Sequence, residues 1–247
     1  MDEIINRLKD LADRSYKRGQ YTFTNFLTIG EITDFYEHEN ELAFAFPSVY
    51  GGYEGAERRM IRFGNKENLG YEQDFPISIL SVQPVIEKFA DDLNHRDFLG
   101  ALMNLGIKRE MLGDILVTGK EACVFCRNSL ADYIIENLSK VKHTSVKVSV
   151  TDEIGSIFLP EKKEKIIQVS SPRIDAVAAK VFNLSRQGIL ELFPVGYVHL
   201  NGIICTENAK LLKSGDVVSA RGYGRFDFSE ELNLSKKGKF NCRVMIY

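Results

Sequence analysis

Ser171-Pro-Arg-Ile-Asp-Ala-Val-Ala-Ala-Lys-Val-Phe-Asn-Leu-Ser-Arg186, followed by Val195-Gly-Tyr-Val-His-Leu-Asn-Gly202, is the stretch whose reading decides the fold. Ser171 can cap a helix that opens on Pro172, where the missing N–H costs nothing. Ile174, Val177, Ala178 and Val181 recur at i, i+3, i+4 and i+7 and so make one apolar helical face. Arg173 and Lys180, one heptad apart, share a second face beside it. Asn183 or a neighbour ends this helix, and Ser185 can cap a second that opens with Arg186 and Gln187. Asn201-Gly202 is the strongest short hairpin signal in the chain, with Val198 and Leu200 alternating against Tyr197 and His199. The pattern predicts two short helices and a hairpin, with basic residues at the helix starts and along one outward edge.

Read in order, Arg173/Asp175, Ser185/Arg186, Gly196/Val198/Asn201/Gly202, Gly215/Asp216 and Gly224/Arg225 resemble the S-four (alpha-L) RNA-binding domain, named after small-subunit ribosomal protein four. The resemblance implies a domain over 171–247 that contacts structured RNA. Helix N-termini favour phosphate, which singles out Arg173 and Arg186 with their neighbours Ser185 and Gln187. Lys180, His199, Asn201, Lys210, Lys213, Arg221 and Arg225 extend the expected surface. Such contacts would set affinity and register and weaken with salt, with little base specificity if the RNA is double-stranded. The bland reading is that Arg173 pairs with Asp175 or Glu191 as a surface ion pair of small value. Asp175 itself reads as structural, capping the helix or holding an arginine.

Hydrophobic residues make up 44% of the chain and charged residues 27%, ordinary for a globular protein, so disorder is not the default. A length of 247 residues suits two or three small domains. No apolar run approaches the ~18 residues of a membrane span. Met1-Asp-Glu-Ile-Ile-Asn-Arg-Leu is charged and amphipathic rather than signal-like, so a cytoplasmic protein with no membrane partner is expected. Four cysteines, two in Cys123-Val-Phe-Cys126, make no disulfide framework. The net charge of −2 hides an asymmetry: residues 170–247 hold eleven Lys and Arg against seven Asp and Glu, an excess of four, which leaves −6 on the rest. A basic module on an acidic body points to a polyanion partner for the C-terminal end.

The expected class is α+β, in three parts: a small N-terminal α/β unit (1–74), a ferredoxin-like, RRM-like βαββαβ domain (75–155) and the S-four domain (171–247). In the first, residues 1–19 keep helical spacing, a second helix starts near Ile29–Glu31, Leu42–Phe46 reads as a strand, and Arg58–Phe63 returns after the glycine-rich Tyr50–Ala56 turn. In the second, strands at Ile77–Val82, Ile115–Thr118, Glu121–Cys126 and Val146–Val150 alternate with helices at His95–Leu105 and Leu130–Val141. That unit has no RNP-type aromatic signature, and only Phe125 and Arg127 stand out as candidates for base stacking. Glu161-Lys-Lys-Glu-Lys165 reads as a solvated hairpin tip or linker, and Lys236-Lys-Gly-Lys239 as a basic turn before the final strand.

Other chemistry finds little support. His95-Arg96-Asp97 lacks the Asn that a kinase catalytic loop places five residues later, where Leu102 stands; Asp97 suits a helix's first turn. Gly222-Tyr-Gly224 is no dinucleotide fingerprint. Cys123 and Cys126 point to opposite faces of a strand and cannot share a metal, and the four histidines are scattered, so neither metal nor cofactor is expected. Gly51-Gly-Tyr-Glu-Gly-Ala-Glu-Arg-Arg59 is a hairpin turn or, with Arg58 and Arg59, a phosphate site.

With the S-four pattern, His95-Arg-Asp-Phe-Leu-Gly-Ala-Leu102 and the Gly51–Arg59 stretch make the whole chain resemble the YlmH family of bacterial cytosolic proteins. The resemblance implies a non-enzymatic, monomeric factor that binds ribosomal RNA and tRNA on the large ribosomal subunit, in ribosome-associated quality control of stalled chains; a division-linked role is also discussed for the family. The competing reading is an RNA-modifying enzyme, pseudouridine synthase or methyltransferase-like, with an accessory S-four domain and acids near Asp97 or Glu54. On the leading reading, removing Arg173 and Arg186 together weakens association with the large subunit without unfolding the chain.

Overall fold

A computed structural model describes residues 2–155, 158, 162–235 and 238–246. The chain is α+β and divides into two compact units, Met1–Leu159 and Pro160–Tyr247. The 1–74 and 75–155 segments thus share one unit.

The first unit opens with the helix Asp2–Arg18, stopped at Gly19 (φ 61°). Thr28 and Glu31 form a reciprocal capping box that starts the helix Ile29–Glu37. These helices bury Leu8, Ile32 and Phe35 with Ile61 and Phe63 of a three-stranded sheet, ordered Thr22–Phe23, Met60–Phe63, Ser48–Tyr50. The apolar run expected as a strand at Leu42–Phe46 is instead the end of the helical turn Glu39–Leu42 followed by a 3-10 turn at Ala43–Ala45. Leu42 and Ala45, three residues apart, are the buried members, a spacing that fits a turn of helix and not a strand; runs this short do not declare their period.

A five-stranded sheet follows, in the order Leu112–Thr118, Glu121–Arg127, Ile77–Pro84, Thr144–Thr151, Lys140–Val141, with every neighbour antiparallel. The helices His95–Asn104 and Asn128–Asn137 cover one face, burying Phe98, Leu102 and Ile134 against Leu80, Val124 and Cys126. The second helix is shorter than the expected Leu130–Val141. Lys140 and Val141 leave it to pair with Ser145 and Thr144 as an edge strand, which buries Val141.

The other sheet face is also covered. Cys123 and Phe125 lie under Phe26 and Met60, with Phe23, Tyr53 and Phe75 around them. Cys123 and Cys126 therefore do face opposite ways, and both are buried. Phe125 is fully buried, which removes it as a base-stacking residue, and Arg127 donates to the carbonyl of Thr24 (3.3 Å) and to Asn25 Oδ1 (2.7 Å). Gly52 shows how closely this face is filled: it holds φ 101°, and a Cβ there would sit 2.4 Å from Phe125 Cδ1.

The second unit is a six-stranded antiparallel sheet, ordered Ile203–Ile204, Val198–Leu200, Asp216–Ala220, Gly224–Leu234, Phe240–Ile246, Lys163–Val169. The helices Ile174–Val181 and Arg186–Leu192 bury Ile174, Val177 and Ile189 against Val198, Val218 and Phe226. The run expected as a linker at Glu161–Lys165 is largely strand: Lys163–Val169 pairs along its length with Phe240–Ile246 and buries Ile167 and Val169. Its charges suit an edge strand, where they discourage further pairing. Glu161, Lys236 and Lys237 lie outside the described residues.

Phe125→Ala removes the centre of the second face and should cost about 3–5 kcal/mol in urea denaturation of the full chain; a loss below about 1 kcal/mol would mean that this face contributes little.

Candidate nucleic-acid interface

The helix at Ile174–Val181 begins without a side-chain cap: neither Ser171 nor Pro172 is inside or at its boundary, and Arg173 is the extended residue before it. Its first N–H groups are satisfied by the chain itself. Ile174 N donates to Lys210 O (2.8 Å), Asp175 N to Asn208 O (3.2 Å), and Ala176 N to Asp175 Oδ1 (2.8 Å). Leu212 N returns a bond to Pro172 O (2.9 Å). The expected phosphate site on those N–H groups is therefore closed.

The charged groups beside them are arranged differently from a free basic pair. Asp175 is fully buried, an unusual place for a carboxylate unless it is paired. Arg173 meets it as a fork, Nε to Oδ1 at 3.0 Å and Nη2 to Oδ2 at 2.7 Å. Arg186 Nη2 stands 3.7 Å from the same Oδ2, beyond hydrogen-bond reach, with its side chain 67% exposed. One buried anion thus brings two guanidinium groups together from two helix starts. Arg173 is held, and its remaining N–H donors are left for an outside acceptor. Arg186 is hardly restrained.

The other expected residues fall into separate places. Lys180 is exposed near the end of the first helix, and Lys210 is exposed with its carbonyl on the helix start. Ser185 is spent on capping, accepting from Gly188 N (3.0 Å), and Gln187 donates to Glu191 (3.3 Å). Asn201 and Gly202 take positive φ (54° and 79°) and turn Leu200 against Ile203 as expected. The Asn201 side chain is internal: its amide donates to Asp216 Oδ1 (2.9 Å), and its oxygen accepts from Val217 N (2.8 Å). Asp216 also accepts from Lys213 N (2.7 Å), leaving the Lys213 ammonium exposed.

His199 and Arg225 stand in one row through Ser219, on the sheet face away from the helices. Burial lowers the His199 pKa, partly opposed by a backbone hydrogen bond at Tyr197. Its imidazole is neutral near pH 7 and offers a hydrogen bond, not a charge. Arg221 lies 5.2 Å from the centre of the Tyr197 ring, a cation–π contact at the same end of the sheet.

The second sequence candidate, Gly51–Arg59, is the loop of a hairpin that pairs Tyr50 with Met60. Asp114, a residue the sequence reading did not single out, holds it: Oδ2 accepts from Tyr53 Oη and Glu57 N (both 2.8 Å) and Oδ1 from Arg58 N (3.0 Å). Arg58 spends its guanidinium on the carbonyls of Leu112 and Phe26, and Arg109 on those of Leu112 and Gly113. Burial depresses both arginines, Arg109 to about 10, with Arg58 adding to the effect on Arg109. They are fastenings, and a phosphate could reach Arg58 only by breaking them.

The family model YlmH_RBD, described as "Putative RNA-binding domain in YlmH", matches residues 71–154, the five-stranded sheet and its two helices. The chain is also 30% identical over 192 residues to ribosome-associated protein quality control protein P2 of Bacillus subtilis (strain 168), covering 77% of this chain and 74% of that one. The chain belongs to the YlmH family. A solved structure, cell division protein ylmH from Streptococcus pneumoniae, is similar with a TM-score of 0.49 at 17% identity, over 61% of this chain and 90% of that one.

In this YlmH-family chain, Arg173 neutralises a buried carboxylate, so the double removal of Arg173 and Arg186 is a poor probe of binding. Arg173→Ala alone should cost about 2–4 kcal/mol by stranding Asp175. Arg173→Ala with Asp175→Ala should cost less than Arg173→Ala alone in urea denaturation; an equal or larger loss would show that the fork does not hold the helix start.

Proposed function

We propose that the chain is a non-enzymatic RNA-binding factor that acts on ribosomes. In this reading it holds structured RNA (ribosomal RNA and tRNA on the large subunit) during quality control of stalled nascent chains. The observation that carries the reading is the Asp175 cluster, which presents Arg173 and Arg186 side by side in the only part of the chain with a basic excess. Exposed Lys180, Lys210, Lys213 and Arg221 supply further cations on that unit, as phosphate contacts require. The name of the Bacillus subtilis relative and the description of the matching family model point the same way.

A ferredoxin-like middle segment is supported by its strand order: the first strand, Ile77–Pro84, lies between Glu121–Arg127 and Thr144–Thr151, with Leu112–Thr118 outside. An S-four reading of the second unit is supported by its helix pair, the Asn201-Gly202 hairpin and the Asp216 turn that Asn201 clasps. An RNA-modifying enzyme is the weaker reading. Asp97 is occupied in a capping box and by Lys142 (2.8 Å), Glu54 is exposed on the hairpin loop, and burial raises the Cys123 and Cys126 thiols to about 11 and 12, far from nucleophilic.

Lys180→Ala with Arg186→Ala leaves Asp175 paired and so tests the charge alone. Co-sedimentation with large ribosomal subunits should weaken about tenfold or more, and the slope of log affinity against log salt should flatten by about two, with unchanged thermal unfolding. Full retention of binding and slope by that folded variant would remove the assignment.

A further inference from the structure

A cleft of about 480 Å³ opens in the first unit, between the helix His95–Asn104 and the connection that leads from Asn137 into the Lys140–Thr151 hairpin. Arg96, Gly100 and Asn104 line one wall at intervals of four, which places them on one helical stripe. Asn137, Lys140 and Lys142 line the other. The single acid, Asp97, is already committed: it accepts from Asn94 N (2.9 Å) and meets Lys142 Nζ at 2.8 Å, and both contacts lower its pKa, the lysine most. Arg96 and Lys140 are exposed and, among the described residues, make no side-chain hydrogen bond or ion pair. The walls therefore carry two uncommitted cations and two primary amides, whereas pockets for small apolar ligands are lined mainly by hydrophobic side chains.

Gly100 adds a second observation. It stands in mid-helix, exposed, with helical φ, and a Cβ built there would meet nothing within 4 Å. Neither a turn nor packing calls for glycine here, and glycine disfavours a helix relative to alanine. What its bare backbone does is keep the middle of the cleft wall flat, so that an incoming group can approach the helix directly. Lys142, opposite, keeps a left-handed backbone (φ 51°) that non-glycine residues avoid, and this turns the hairpin so that its ammonium meets Asp97.

We infer that this cleft is a second RNA-binding site, separate from the Asp175 cluster, which takes a phosphodiester backbone between Arg96 and Lys140 over Gly100. The inference rests on the RNA-binding reading of the chain and locates the contact that residues 71–154 would make. It also answers why that contact is not on the open sheet face used by RNA-recognition motifs: here Phe26 and Met60 cover Phe125 and Cys123.

The full chain is titrated into fluorescein-labelled bulk tRNA between about 50 and 200 mM salt, as wild type, as Arg96→Ala with Lys140→Ala, as Gly100→Gln, and as Lys180→Ala with Arg186→Ala. The inference predicts about tenfold weaker binding and a salt slope flatter by about two for the Arg96/Lys140 variant. For Gly100→Gln it predicts at least a fivefold loss with a melting temperature equal to or above wild type, because glutamine favours the helix and meets no neighbour. If the Lys180/Arg186 variant is weakened while both cleft variants bind as wild type, the function stands and the cleft is not an RNA site. If the wild type fails to bind tRNA or ribosomal subunits, the function falls and this inference falls with it.

Discussion

One buried carboxylate sets the terms for the C-terminal unit. Asp175 is stable inside only because Arg173 forks onto it and Ala176 N donates to it. The same residue fixes where the helix starts, since its own N–H reaches Asn208 and draws in the Asn208–Leu212 segment. The proposed function draws on this necessity. A guanidinium held on a buried partner loses little freedom on meeting a phosphate, and Arg186, 3.7 Å from the shared oxygen, is kept in the neighbourhood without being used up. The cluster is structural, and on the proposed function it is also where RNA would be held.

The N-terminal unit uses its arginines in the opposite way. Arg58, Arg109 and Arg127 are turned inward onto carbonyls of Phe26, Leu112, Gly113 and Thr24, where burial depresses them. They bind distant segments of one unit together, as does Asp114 on the Gly51–Arg59 loop. Because these contacts cover the sheet's second face, any outward chemistry in this unit falls to exposed side chains at its helices and hairpins, of which Arg96 and Lys140 carry uncommitted charge.

Much of this was legible in the residues. Apolar spacing located the helix Asp2–Arg18, the helix pair after residue 173 and four of the five strands of the Leu112–Thr118 to Lys140–Val141 sheet, and Asn201-Gly202 located its hairpin. Asp175 could be read as structural, capping the helix or holding an arginine, and it does hold Arg173. What stayed hidden was tertiary. Phe125 resembled a stacking residue because Glu121–Arg127 carries apolar residues on both faces, and only the fold shows Phe26 and Met60 above it. The phosphate site expected at the first helix start depended on free N–H groups, which a segment more than thirty residues away occupies. Leu42–Phe46 was too short to reveal its period, and the charge run Glu161–Lys165 read as a hairpin tip or linker, although Lys163–Lys165 open a strand that pairs with Phe240–Ile246.

The central claim is that the chain works by holding RNA on its C-terminal basic residues. Ultraviolet crosslinking in living cells, followed by sequencing of the RNA and mass-spectrometric location of the crosslinked peptides, tests it most directly. The account predicts crosslinks on peptides that contain Arg173 to Arg186 and Lys210 to Arg225, joined to ribosomal RNA of the large subunit and to tRNA. Recovery of RNA-linked peptides from residues 2–155 alone, or of none from a chain that still associates with ribosomes, would contradict it.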